Sequence, residues 1–115
     1  VTTPMCGAAQ EDGSASIVAV AVVVGTILVT IAVLVGCGAV VGHQRAVAAA
    51  DASALAAADV GSGLVPGEPC AEAERVAVAG GASLLTCRFE SGVATVEVAV
   101  GPLPLTAHSR AGPPP

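Results

Sequence analysis

Residues 17–41 form one unbroken apolar run, and no ionisable side chain occurs between Asp12 and His43. A helix that crosses a bilayer needs about 20 such residues. This run supplies 25, or about 37 Å at 1.5 Å per residue. Much of it is β-branched, but in lipid the backbone must satisfy its own hydrogen bonds, so the helix is enforced. The pattern therefore predicts a membrane-spanning helix at 17–41. Gly38 and Gly42 within and just beyond it make a small-xxx-small pair that would let a second helix approach closely.

The periodicity changes after Gly42. Residues 43–59 read HQRAVAAADASALAAAD, with no Gly or Pro. Ala is the best helix former, so the helix is expected to continue as a stalk over 42–60. Gln44, Asp51 and Asp59 share a polar stripe. Val47, Ala50, Ala54 and Ala58 form a separate face of little bulk, suited to close packing against another helix. Gly61 and Gly63 stop the helix.

Residues 69–79 begin with Pro, carry acids in the first turn and precede Gly80 and Gly81, which predicts a short helix. Residues 83–89 and 94–100 then alternate as strands. A two-residue turn at Ser91 and Gly92, or a four-residue loop about the same centre, pairs Phe89 with Ala94, Cys87 with Val96 and Leu85 with Val98 on one face. Arg88 with Thr95 and Thr86 with Glu97 take the other. An odd loop would set Glu97 opposite Leu85 and mix the faces. Pro102 and Pro104 are expected to end the second strand, leaving 102–115 as a Pro-rich disordered tail.

The expected fold is thus mainly α with a small α+β head. Its parts are an N-terminal flank (1–16), a transmembrane helix (17–41), a stalk helix (42–60), a head of one short helix and a β-hairpin (61–101), and the tail. A head this small needs a staple, a neighbour or the stalk to lean on.

Composition narrows the function. Phe89 is the only aromatic residue, and there is no Lys; four Arg stand against nine acids, for a net charge of −5. Nucleic-acid binding needs clustered basic residues, so no nucleic-acid partner is expected. The sequence contains no GxSxG, HExxH or phosphate-binding Gly-rich loop followed by Lys. Cys70 and Cys87 have no CxxC partner, and His43 and His108 are distant along the chain. No catalytic residues, metal, cofactor or small-molecule substrate are expected.

Of the four cysteines, Cys6 precedes the run, Cys37 lies within it, and Cys70 and Cys87 share the head. A Cys70–Cys87 disulfide would close a loop of about 18 residues, stabilising the head by roughly 3 kcal/mol on the chain-entropy argument. It would require an oxidising compartment. The alternative is two buried free thiols. Flanking charge points the other way on topology: Arg45 follows the run while Glu11 and Asp12 precede it, which by itself favours a cytoplasmic C-terminal part. Residues 34–37, Leu-Val-Gly-Cys, fit the bacterial lipobox, but apolar residues continue through Val41 where a polar tether would begin. A cleaved signal peptide would need a basic segment before the run and a shorter core.

The order of these segments is similar to a known family. The Gly-Ser-Ala-Ser stretch at 13–16 before the run, residues 45–58 (RAVAAADASALAAA) just beyond it, Pro-Cys-Ala at 69–71, and Leu-Thr-Cys-Arg at 85–88 before a Val-rich strand resemble the TadE-like proteins of the tight-adherence (Tad/Flp) pilus system, small actinobacterial type. The resemblance covers about residues 13–100. It implies a minor pseudopilin: an N-terminal helix in the cell membrane, a small head outside the cytoplasm, and pilus or secretion-system membrane proteins as partners besides lipid. The chain departs from the pilin processing pattern, which favours Glu at the fifth mature position: after Gly13 that position is Val18, and after Gly7 it is Asp12. The other readings are a lipoprotein lipidated at Cys37, carrying a small exported domain, and a small membrane-lytic protein, whose usual basic tail is missing.

Overall fold

The computed structural model describes the backbone of residues 3–103 and 105–113, and side chains from Gly13 onward. The order of elements is a long helix α1 (Thr3–Gly61), a short helix α2 (Pro69–Ala79), and strands β1 (Ser83–Glu90), β2 (Val93–Val100) and β3 (Leu105–Ala111). The chain is mainly helical with a small α+β head, and it divides into two compact units, 1–38 and 39–115.

In the first unit, side chains such as Ile17, Val20, Leu28 and Leu34 are all exposed. The segment is long and apolar enough to cross a membrane. The two hydroxyls within residues 17–41 are satisfied inside the helix: Thr26 Oγ1 donates to the Val22 carbonyl at 2.7 Å, and Thr30 Oγ1 to the Thr26 carbonyl at 2.8 Å. This removes the cost of an unpaired hydroxyl in a waterless setting.

In the second unit, α1 buries one stripe: Ala46, Ala49, Ala50, Ser53, Ala54, Ala57 and Val60. The intervals of three and four are those of one helix face. Above it lies an antiparallel sheet in the order β1-β2-β3. Val96, Val98 and Ala94 of the central strand, Ala107 of β3, Ala82, and Ala73 and Ala77 of α2 complete the core. Ser53 is the buried polar side chain of this stripe, and its hydroxyl donates to the Ala49 carbonyl at 2.7 Å.

Helix α2 starts as its sequence requires. Glu68 is extended and its carboxylate accepts from the Ala71 N–H at 2.7 Å, with Pro69 next in line. It stops at Gly81, which takes φ +75° while the Ala82 N–H reaches the Ala77 carbonyl at 2.9 Å.

The β1–β2 hairpin turns through two residues, Ser91 at φ 52° and Gly92 at φ 80°. Two successive positive φ values are the tight-hairpin geometry. The register from the turn is Glu90↔Val93, Phe89↔Ala94, Arg88↔Thr95, Cys87↔Val96 and Thr86↔Glu97, as the alternation predicts. It departs at the far end. The pairing shifts between Leu84 and Thr86, so Leu84, not Leu85, opposes Val98. The bulge leaves Leu84 half-buried and turns Leu85 out to 51% exposure.

The C-terminal stretch corrects a second expectation. Residues 105–111 are not a disordered tail but the third strand, paired along its length with β2 from Val100↔Leu105 to Ala94↔Ala111. Pro is excluded from a central ladder but not from a connection. The reversal between the strands begins at Gly101, with φ +81°. Pro104, Pro114 and Pro115 lie outside the described residues. The head is therefore a three-stranded sheet packed with α2 against the second half of α1, and β2 has a partner strand on each side.

Candidate functional site

Two features of the second unit set what the protein can do: the staple and the seam between α1 and the sheet. Cys70, at the start of α2, and Cys87, at the middle of β1, are joined in a disulfide with Cα atoms 5.8 Å apart. The even-numbered turn puts Cys87 on the inner face, and the N-terminal turn of α2 brings Cys70 to it. Cys37 is a free, exposed cysteine within α1.

The seam lies close to the expected small-residue face, but its occupant and its centre differ. Ala50 and Ala54 are fully buried, yet what covers them is the chain's own head. Ala58 is only partly buried, and Val47 is 39% exposed. The stripe is centred further round, through Ala46, Ala49, Ser53, Ala57 and Val60. At Ala50 and Ala54, packing within the chain takes the place expected for a neighbouring helix. The small side chains serve the same physical end, letting a sheet approach the helix backbone. Gly80, for example, lies so close to α1 that a Cβ there would stand 3.5 Å from Ala49 Cβ.

Three contacts fix the head along the helix. Leu105 packs on Gly42, where an added Cβ would lie 2.8 Å from Leu105 Cδ1. Ser109 Oγ donates to Asp51 Oδ1 at 2.6 Å. Phe89 sits on Gly61, where an added Cβ would run into its ring. Gly42, one half of the small-xxx-small pair, is thus covered by Leu105, while Gly38 has open space around it. None of these three anchors is marked in the sequence: two of them come from β3, and Phe89 on Gly61 joins residues that no pattern links. The alternation of Leu105, Ala107, Ser109 and Ala111 was the available signal.

Two polar pairs lie elsewhere in the head. Arg75 pairs with Glu72 one turn away on α2, with Nε donating to Oε2 at 3.1 Å. The hydrogen bond from Arg75, more than its charge, holds the Glu72 carboxyl below the ordinary carboxylate range. His108 Nε2 lies 3.5 Å from Glu97 Oε1 on the outer sheet face. A groove of about 550 Å³ runs between the end of α1 and the β2–β3 side, lined by Leu55, Asp59, Ser62, Gly92 and Arg110 among others. Its one hydroxyl, on Ser62, is turned to the Asp59 backbone carbonyl at 3.0 Å. Among the described residues, no three His, Cys, Asp or Glu side chains are grouped as a metal site.

Set against protein-family models, curated proteins and solved structures, the chain finds no match. The fold and its seam define a class by physics alone: a long apolar helix whose second half carries a small, disulfide-stapled α+β head.

Proposed function

We propose that this is a structural, single-pass membrane protein of the minor-pseudopilin kind, acting in a Tad-type pilus or a related secretion assembly with its head outside the cytoplasm. One observation carries the reading: α1 is divided by burial. Residues 13–41 expose every apolar side chain, whereas the stripe from Ala46 to Val60 is sealed under the head. A bare apolar helix is stable in lipid or against other helices, and a sealed one belongs in water. The disulfide supports an oxidising, extracytoplasmic side for the head and outweighs the single Arg45 in the charge argument. With the stalk stripe covered, contacts to assembly partners fall to the apolar half of α1 and the outer surface of the head.

The test is photo-crosslinking of the full chain in its native membrane, with probes at Val22, Leu28 and Val33, followed by identification of the captured proteins. Capture of membrane proteins from a pilus or secretion assembly is the expected result. Intact mass, measured in parallel, separates the lipoprotein reading: a mature chain beginning at a lipidated Cys37 would overturn the proposal.

A further inference from the structure

We propose that the β2–β3 turn is a second membrane contact, dipping Leu103 into the bilayer surface. The inference rests on the reading of residues 17–41 as a membrane span and adds a site to it.

The position of the turn follows from two contacts. Leu105 packs on Gly42, and Ser109 bonds to Asp51. From Leu105 to Ser109 is four strand steps, about 13 Å. From Gly42 to Asp51 is nine helical steps, about 13.5 Å. The two lengths agree, so β3 runs alongside α1 in the same direction. Residues preceding Leu105 therefore lie beyond Gly42, toward Val41 and the apolar run. Ala39, Val40 and Val41, the last turn of that run, belong to the same compact unit as the head.

The chemistry of the turn suits that location. Residues 98–107 contain no charged side chain, with Glu97 and His108 marking the limits. Leu103 is 74% exposed, among the barest large apolar residues in the head, and has no covering partner there. The Leu105 N–H donates to the Leu103 carbonyl at 2.7 Å. Val40 and Val41 are likewise exposed. Just above it, His43, Gln44 and Arg45 are exposed on α1, the polar set expected at headgroup level. An apolar tip on a neutral connection, level with the end of a membrane helix, fits acyl chains at the bilayer surface.

The chain has no Trp, so a single substitution gives an unambiguous probe. Leu103→Trp, Leu64→Trp and Val29→Trp are each made in the full chain and reconstituted into phosphatidylcholine vesicles, with or without bromine on the acyl chains. Leu64 lies in the loop after Gly61, about 28 Å of helix from Gly42, and is 76% exposed. Trp prefers interfaces wherever it is placed, so both head probes share that bias and only position distinguishes them. The expected result is loss of Leu103→Trp emission in brominated vesicles and resistance to aqueous iodide, with the reverse for Leu64→Trp. Quenching of Val29→Trp but not of Leu103→Trp by brominated lipid would overturn the turn contact while leaving the span intact. Failure of Val29→Trp to respond would overturn both.

Discussion

Replacing both Cys70 and Cys87 by Ala tests how the head stays folded. The sheet has only three strands and its core is built from Ala and Val, with Phe89 at its rim. Such a core gives little burial per residue, so restriction of the unfolded chain matters more here than in a larger domain. The disulfide spans a sequence separation of 17. Closing a loop of that size removes unfolded-state entropy equivalent to about 3 kcal/mol. For a folding unit of this size each kcal/mol shifts the midpoint by about 4–8 °C, so the double variant is expected to melt about 12–24 °C lower. The double substitution avoids leaving a lone thiol in the core. The assay is thermal loss of protection at the β2 amides, Ala94 to Val98, by hydrogen exchange in detergent; α1 remains helical there and would mask the change in a helix signal. Equal midpoints for the variant and the parent would refute the idea that the staple maintains the head.

Other outcomes follow from the seam and from α2. Ala54→Leu overpacks the buried stripe and is expected to cost about 1–3 kcal/mol, while Ala52→Leu, exposed on the same helix, stays within about 0.5 kcal/mol; head melting by the same exchange assay separates them. Gly61→Ala drives a methyl into the Phe89 ring and should destabilise the head by about 1–3 kcal/mol, with most of the loss recovered when Phe89→Leu is added, as a double-mutant cycle would show. Glu72 titrates below the ordinary carboxylate range because Arg75 bonds to its charged form, so the pair's contribution is present above the unfolded carboxylate range and is lost as pH falls through the lowered folded value. Carboxyl-resolved NMR should find the Glu72 midpoint below the ordinary carboxylate range, and Arg75→Ala should raise it.

The sequence carried the parts of this structure that depend on a change of chemistry from one residue to the next. The apolar run, the Gly stops, the Pro69 start and the Ser91-Gly92 turn all stand out from their surroundings. The turn then fixed the register, because slipping it would bury Glu97. Where neighbours are chemically alike, the pattern is silent. Leu84 and Leu85 are identical, so nothing marks which of them the bulge extrudes. Residues 48–50 and 56–58 are all Ala, so a stripe through Ala57 and one through Ala58 read the same. β3 was hidden by the prolines before it, which end a strand without saying whether another follows. Its inward residues Ala107, Ser109 and Ala111 are too small to announce a core strand. That small size is also why the occupant of the stalk stripe was not legible: Ala accommodates a helix or a sheet equally well, and only the third strand decides between them.

The central claim is that residues 17–41 cross a membrane and leave the stapled head on its outer side. A single measurement reaches it most directly: alkaline phosphatase, which is active only outside the cytoplasm, fused after Pro115 and assayed in a bacterial host after alkaline carbonate extraction. The account predicts an active fusion retained in the carbonate-washed membrane pellet. An active fusion released into the supernatant would contradict the span, and an inactive fusion in the pellet, paired with an active cytoplasmic reporter at the same position, would contradict the outward head.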